Sequence, residues 1–458
     1  MALMQMRDPM GSYQTIYDRY GGPKMVRGRD MKGRKTVIVY DLAECKFLLR
    51  QEGKYPLSPI MDVQLPPTWA RERFGDDSDA IKGSSAGPEW REFRDKYGPG
   101  LFTHAAGSYL GPITEAADIG ADNFQLFAEA GEIQRWAQFT AFDMFFSVMF
   151  GKTPQTAVFG TDQTNPFCEL VELDKEGLTL AVQHAYLPWF MVPRNAKDKF
   201  MKTMDRIAEA SSPVLQRALN APKEDLPDCY LRDMHVNQGI PAEQLLSIVP
   251  LLLSAGIATT QGLIQWNVLS LALHPEAQAK VRAEVADVLG DGPYSRDAKL
   301  PYLEAFIRET HRVLPANPTL TARIAPKDIV TPSGYEIPAG TLMTLCPQSV
   351  ARDPNITKGK DIDQFRPERF IEPSRDKGCP MQSRMNKDPF GMGGRVCLGR
   401  RTAELELRAI LVSLVRRCEI TALERDFGVE WMTVLVPKPF PKIQVRPIDT
   451  VPSAQQSA

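Results

Sequence analysis

PFGMGGRVCLGRRTAEL, residues 389–405, sets one cysteine, Cys397, between a glycine-rich loop and a helical pattern. Ala403, Leu407, Ile410, Leu411, Leu414 and Val415 fall on one face of that pattern, which places the sulfur at a helix N-terminus. Backbone N–H groups, the positive end of the helix dipole and Arg395 stabilise a thiolate there, and a thiolate so held is a nucleophile or a metal ligand. Gly391, Gly393, Gly394 and Gly399 favour the ligand, because they keep side chains away and let the backbone run close under something flat and wide. Phe390, seven residues before the sulfur, is placed to shield it from water. Taken alone, Cys397 also reads as a buried free cysteine in a turn.

The full pattern is more selective. Phe390, Gly393, Arg395, Cys397 and Gly399 stand as F-x-x-G-x-R-x-C-x-G, which resembles the haem-binding loop of the cytochrome P-450 family. Five fixed positions recur by chance on the order of once in a million starting points. The resemblance implies a mainly α fold with a minor β-sheet region, haem b as cofactor, and Cys397 as the axial ligand of its iron. It puts Phe390, Gly391, Arg395 and Gly399 around that group.

The chain has 458 residues, 43% hydrophobic and 24% charged, with a formal net charge of −1. That composition supports a large core, and the charge supplies no global field for nucleic acid or an anionic membrane. Seven cysteines, Cys45, Cys168, Cys229, Cys346, Cys379, Cys397 and Cys418, are scattered without a C-x-x-C pair, against a disulfide framework or a zinc site. No window of eighteen apolar residues is present, and the first thirty residues carry neither a secretory signal nor an acid-free presequence. Either the protein is soluble or the chain lacks its targeting segment.

Along the chain, residues 35–40 (KTVIVY) read as a strand, residues 43–51 as a helix, and the proline-rich residues 56–71 as an irregular loop. Helical patterns fill residues 111–217. Within them LPWFMVP, residues 187–193, is read first as a buried connection and second as a surface patch that dips into a membrane or lines a substrate entrance. Residues 241–274 give the longest apolar helix, followed by helices over 275–289 and 303–313. Short strands are expected near 320–324, 341–345, 429–436 and 443–445, with TPSGYEIPAG as a turn. No linker divides the chain, so residues 1–458 are read as one domain with short irregular ends near 1–11 and 447–458.

Three further groups match the family. Glu309 and Arg312 in ETHR share a helix face, and with Arg369 in FRPERF they match its E-x-x-R and P-E-R-F motifs. The resemblance implies a buried structural network that fixes the cysteine loop, a duty suited to planar guanidinium groups. Trp90 and Arg94, one turn apart in GPEWREFR, match a haem-propionate pair, and Arg395 and Arg323 match two more propionate partners. Without the match, Trp90 is an ordinary core aromatic. In SAGIATTQG, residues 254–262, Gly256 removes a side chain and the Thr259 hydroxyl bonds back one turn, bending or opening the helix. The family holds dioxygen in such a groove, and its threonine, here Thr259 beside Thr260, steers protons. The family's usual acid before that threonine is replaced by Ala258, which supplies no proton.

The resemblance covers about residues 13–445 and implies a haem-thiolate monooxygenase acting on dioxygen and a lipophilic small molecule. CLGRRTAELEL, Gln265, Trp266 and EGKYP (residues 52–56) look most like the mitochondrial clan, whose animal members oxidise sterols, steroids and vitamin D with electrons from a ferredoxin. A matrix-side mitochondrial location follows from that clan, and a cytoplasmic or membrane-associated one if the chain is truncated. Arg395, Arg400, Arg401, Arg408, Arg416 and Arg417 are candidates for a basic docking face. Arg308 matches a clan basic position on the preceding helix, whereas Glu304 stands near where another is expected. NADPH-P-450 reductase is the alternative donor. Thr319 to Thr321 and Val434 to Val436 line the substrate pocket by resemblance. Two rivals stay open: a hydroperoxide isomerase or dehydratase on the same fold, which Ala258 allows, and a non-enzymatic haem-binding protein.

Overall fold

The computed structural model describes residues 9–448 except 31–32, 60–62, 102, 162–163, 186, 188, 223, 226, 317–320, 354–360, 363, 373–387 and 432–433. Cys379, Thr319 and Leu320 therefore lie outside the described residues. The main helices are α1 (Pro9–Arg19), α2 (Leu42–Arg50), α3 (Leu65–Phe74), α4 (Gly87–Tyr97), α5 (Leu110–Glu129), α6 (Ile133–Phe150) and α7 (Phe167–His184). They continue with α8 (Arg194–Asn220), α9 (Tyr230–Gln238), α10 (Ala242–Leu273), α11 (Pro275–Leu289), α12 (Pro301–Val313) and α13 (Arg400–Arg417).

A bundle of α5, α6, α10 and α13 forms the centre. Residues 136–150 of α6 are all buried, as befits a helix with no polar face to turn to water. Where α6 crosses α5, Trp136 Nε1 donates to the Gly120 carbonyl at 2.7 Å. A Cβ on Gly120 would stand 2.7 Å from Thr140 Oγ1, so only glycine permits this approach. Among the described residues α10 alone is long and apolar enough on average to cross a membrane, although Thr259, Thr260 and Gln261 interrupt its apolar run. It packs against α6, α8 and α13, which makes it the core helix.

A four-stranded sheet runs β1-β2-β6-β3, with β1 (Met25–Arg29), β2 (Lys35–Val39), β3 (Thr321–Ile324) and β6 (Leu342–Leu345). β2 and β6 are parallel, pairing Val37 with Met343 and Val39 with Leu345, and those four side chains share a small buried core with Cys45 and Leu48 of α2. Three two-stranded ribbons complete the β structure: β4 (Ile329–Val330) with β5 (Glu336–Ile337), β7 (Cys418–Ala422) with β10 (Ile443–Pro447), and β8 (Val429–Trp431) with β9 (Leu435–Pro437). The architecture is mainly helical with minor sheets.

Several expectations need correction. Residues 56–71 are not one loop, because α3 starts at Leu65 with Pro66 and Pro67 in its first turn, where a missing N–H leaves no bond unmade. The chain is helical from Pro9, inside the stretch expected to be irregular. TPSGYEIPAG contains β5 as well as a turn at Gly334, whose φ is +79°. LPWFMVP is not a buried connection: Trp189, Phe190 and Met191 are exposed, Phe190 to 83%. The strand β7 follows α13 without a linking residue, which hid it from a search for turn signals.

Asp143 of α6 ties the bundle to the segment that follows it. Its buried carboxylate accepts from Thr156 N and Ala157 N, both at 2.9 Å, and from Thr156 Oγ1 at 2.6 Å. Asp143→Ala leaves two buried N–H groups unpaired and is expected to lower unfolding free energy by about 2–4 kcal/mol, read from chemical denaturation.

Candidate active site

Cys397 lies between a 3₁₀ turn, Gly393–Arg395, and the first turn of α13. The loop closes on itself, with Cys397 N donating to the Phe390 carbonyl at 2.9 Å. Gly391 and Gly393 take φ values of +72° and +75°, which L side chains resist. Cys397 keeps accessible surface although protein atoms crowd round it, so it sits in a recess rather than on an open face. Burial pushes the Cys397 thiol above its ordinary range, against the Gly399 N–H and the Arg94 charge, which pull it down. The loop N–H and Arg94 thus favour a thiolate, and burial opposes them. One N–H and one cation do not outweigh desolvation, and Arg94, not Arg395, is the cation acting on the sulfur. Binding to a metal cation deprotonates a thiol in such a place.

The three arginines matched to haem propionates converge. Arg323 is buried and its Nε donates to Glu52 Oε2 at 2.7 Å, while Nη2 reaches the Met392 carbonyl at 2.7 Å. Arg395 donates to the carbonyls of Pro56 and Ser85, at 2.6 and 3.0 Å, and its guanidinium lies 4.3 Å from the Trp90 ring centre. Arg94 lies 5.3 Å from the same buried indole and donates to the Val396 carbonyl at 2.9 Å. Burial, with Arg323 and Arg94 adding their repulsion, pushes Arg395 down to about 10. Glu52 also accepts from Gly394 N at 2.5 Å and fills the space a Cβ at Gly393 would need. Among the described residues one carboxylate, Glu52, bonds to these three guanidinium groups, and the positive charge left over suits the two propionates of haem. A soft sulfur ligand beside a glycine bed suits its iron and its flat face. The residues present fit the group.

On α10, Thr259 Oγ1 donates to the Ala255 carbonyl at 2.8 Å. The helix runs unbroken through this point, which corrects the expectation of an opening. A Cβ on Gly256 would come 2.7 Å from the Phe145 ring, so that glycine admits an aromatic side chain of α6. Thr260 Oγ1 donates to Glu406 Oε2 at 3.1 Å, fixing α10 against the helix that begins three residues after Cys397. Burial raises Glu406 to about 8.

Glu309, Arg312 and Arg369 meet out of water. Arg312 pairs bidentately with Glu309, Nε to Oε2 and Nη2 to Oε1 at 2.8 Å each, and Arg369 Nε reaches Oε1 at 3.0 Å. The remaining guanidinium N–H groups go to the carbonyls of Asp361, Ile362 and Gln364. Phe390 packs against the core, with the Arg400 guanidinium 5.7 Å from its ring centre, and Gly399 caps α13.

The candidate docking arginines carry partners of their own. Arg400 pairs with Asp388 and Glu404, Arg401 with Glu404, and Arg308 and Arg408 with Glu304. They surround a surface cleft of about 540 Å³. Arg417 pairs with Asp118 and Asp122, and Arg416 donates to the Gly290 carbonyl, away from this cleft. Glu52 and Glu406 escaped the sequence reading as site residues. Glu52 was visible only as part of EGKYP, and a lone acid on a helix such as Glu406 carries no local signal.

Arg312→Lys supplies one point charge where two parallel bonds and two carbonyl contacts are made. The variant is expected to lose roughly 3–5 kcal/mol of stability and to be purified with little haem. The Soret absorbance per polypeptide and a denaturation curve check this, and an unchanged Soret band rejects it.

The chain matches the family model "Cytochrome P450" over residues 2–444. It is 32% identical over 224 residues to "Sterol 26-hydroxylase, mitochondrial" of Oryctolagus cuniculus, covering 48% of this chain and 41% of that protein. It is 30% identical over 260 residues to "25-hydroxyvitamin D-1 alpha hydroxylase, mitochondrial" of Rattus norvegicus, covering 55% and 50%. Those two alignments thus span half or less of the relatives' length. With "Sterol 26-hydroxylase, mitochondrial" of Homo sapiens the identity is 28% over 399 residues, covering 81% and 72%. With a family model matched along nearly its whole length, and a glycine-bedded cysteine beside a cluster of arginines, the chain belongs to the cytochrome P450 family.

Proposed function

We propose that this chain is a haem-thiolate monooxygenase that inserts one oxygen atom from dioxygen into a lipophilic, sterol- or steroid-like small molecule, with electrons from a ferredoxin. The observation that carries the reading is Cys397 in its glycine loop beside the cluster of Arg94, Arg323 and Arg395, with the Thr260–Glu406 bond tying the helix of Thr259 to the helix that follows Cys397. Haem b, when bound through Cys397, supplies the activation of dioxygen, for which a thiolate ligand favours O–O cleavage. In this reading Arg94, Arg323 and Arg395 hold its propionates, Trp90 backs two of those arginines, and Phe390 screens the sulfur from water. Glu309, Arg312 and Arg369 keep the scaffold of that loop in place. Gly256 and Thr259 belong to the dioxygen side, and Thr260 fixes their helix.

Lipophilic substrates suit the wall at Val434, Leu435 and Val436, all buried. Thr321 Oγ1 is buried without a hydrogen-bond partner among the described residues, and a substrate hydroxyl or ketone would satisfy it. The names of the sterol and vitamin D hydroxylases support this class and a mitochondrial location. The exposed Trp189, Phe190 and Met191, with Lys197 4.0 Å above the Trp189 ring, suit peripheral contact with a membrane surface.

The cleft at Arg400, Arg401, Arg408 and Arg308 is the docking face for the acidic donor. Because Glu304 and Glu404 already neutralise part of it, the donor must compete for these arginines. Arg401→Glu is expected to raise the ferredoxin concentration for half-maximal reduction on the order of fivefold, and Glu304→Gln to lower it, in stopped-flow reduction of the haem protein. No change in either variant rejects the docking face. Sterols that bind should shift the Soret band, and a panel in which none does rejects the substrate class.

A further inference from the structure

The proposed reaction needs protons as well as electrons. Each oxygen atom inserted follows the balance R–H + O₂ + 2e⁻ + 2H⁺ → R–OH + H₂O, with the electrons from the donor protein. Residue 258, immediately before Thr259, is alanine and holds no proton to give. A carboxyl group stands one helical turn away on a different helix.

Ser254 and Ala258 lie one turn apart on one ridge of α10, and Ala255 and Thr259 lie on the adjoining ridge. Ser254 Oγ is 2.6 Å from Asp174 Oδ1 of α7. Asp174 is 2% exposed, and this is its one hydrogen bond among the described residues, where no cation pairs with it. A carboxyl so desolvated favours its neutral, proton-bearing form, and burial raises Asp174 to about 7. A contact of 2.6 Å between a carboxyl and a hydroxyl serves a proton moving either way, because the hydroxyl rotates. From Ser254 the way leads along the strip at Ala255 and Thr259, both of which keep accessible surface for water. There the Thr259 hydroxyl is held on the Ala255 carbonyl with its own oxygen free to accept.

We propose that Asp174, relaying through Ser254, is the proton reservoir for dioxygen reduction in this enzyme, replacing from α7 the acid that position 258 lacks. This rests on the monooxygenase reading above. Asp174 gives its proton to the Ser254 oxygen, Ser254 passes its own to water beside Thr259, and solvent reprotonates the carboxylate. Asp174 thus acts through Ser254, its hydrogen-bond partner on α10. The same bond also joins α7 to α10, so a test must separate proton supply from a mere tie between helices.

Asp174→Asn does so, because the amide oxygen still accepts from Ser254 while the transferable proton is gone. With ferredoxin, its reductase and a turned-over substrate, this variant is expected to consume NADPH but to form several-fold less product per NADPH, with hydrogen peroxide as the balance. Its solvent deuterium isotope effect on product formation should rise. Adding Ala258→Asp to Asp174→Asn should restore coupling, which a structural tie cannot explain. Ser254→Ala, a smaller change in packing, should uncouple the enzyme in the same way. Independently of turnover, infrared difference spectra of the haem-free protein at mildly acid pH should show a protonated carboxyl band that Asp174→Asn removes.

Unchanged coupling and isotope effect in both single variants, or the absence of that band, would overturn the proposal while the wild type still hydroxylates. A wild type that consumes neither NADPH nor dioxygen would instead sink the monooxygenase reading, and the proposal with it.

Discussion

Two guanidinium groups share one carboxylate in the dry interior of this protein: Glu309, wholly buried, is gripped by Arg312 and Arg369. Burying three charges costs several kcal/mol each, and the cost is offset only when every N–H finds an acceptor. Here the surplus N–H groups are taken by carbonyls of residues 361, 362 and 364, so the network dictates the path of a segment with little secondary structure of its own. The network also fixes α12, whose Glu304 in turn meets Arg408 of α13, the helix that begins just after Cys397. Removing either arginine strips hydrogen bonds from a buried carboxylate and from the main-chain carbonyls that the same guanidinium holds, which is why so small a group has so wide a reach.

The second constraint is the positive charge gathered at Arg94, Arg323 and Arg395. Among the described residues Glu52 is the one carboxylate bonded to these guanidinium groups, and it is already committed to Arg323 and to Gly394 N. The Trp90 ring attracts two of the guanidinium groups, and main-chain carbonyls take N–H groups of Arg94 and Arg395. Such a cluster is stable with an anionic cofactor and poorly compensated without one. Cys397 follows the same logic: the chain alone favours its thiol, and a bound metal reverses that.

Much of the helical fold was legible because its signals are local. Periodicity, Pro275 at a first turn and Gly290 at an end locate α11, and the longest apolar helical pattern in the chain locates α10. The strand at 35–39 was visible as a β-branched run and the one near 341–345 as a short strand after a turn, whereas their parallel pairing depends on residues about 300 positions apart. The Pro66–Pro67 pair misled because proline breaks a helix interior yet begins a helix well. Motif spacing brought out Cys397, Glu309, Arg312 and Arg369. Glu52, Asp174 and Glu406 stayed hidden, because a lone acid in the sequence gives no sign of burial or of its partner on another element. The exposure of Trp189, Phe190 and Met191 was equally unreadable, since apolar composition does not say which side faces water.

The central claim is that this chain is a monooxygenase that transfers one atom of dioxygen to a lipid. Purified haem protein, supplied with NADPH, ferredoxin, its reductase, a sterol panel and isotopically heavy dioxygen, tests it through the mass of the products. One heavy oxygen atom per product molecule is the result this account predicts. Products that take no oxygen from dioxygen, formed from lipid hydroperoxides without any reductant, would contradict it and make Ala258 the mark of a different reaction.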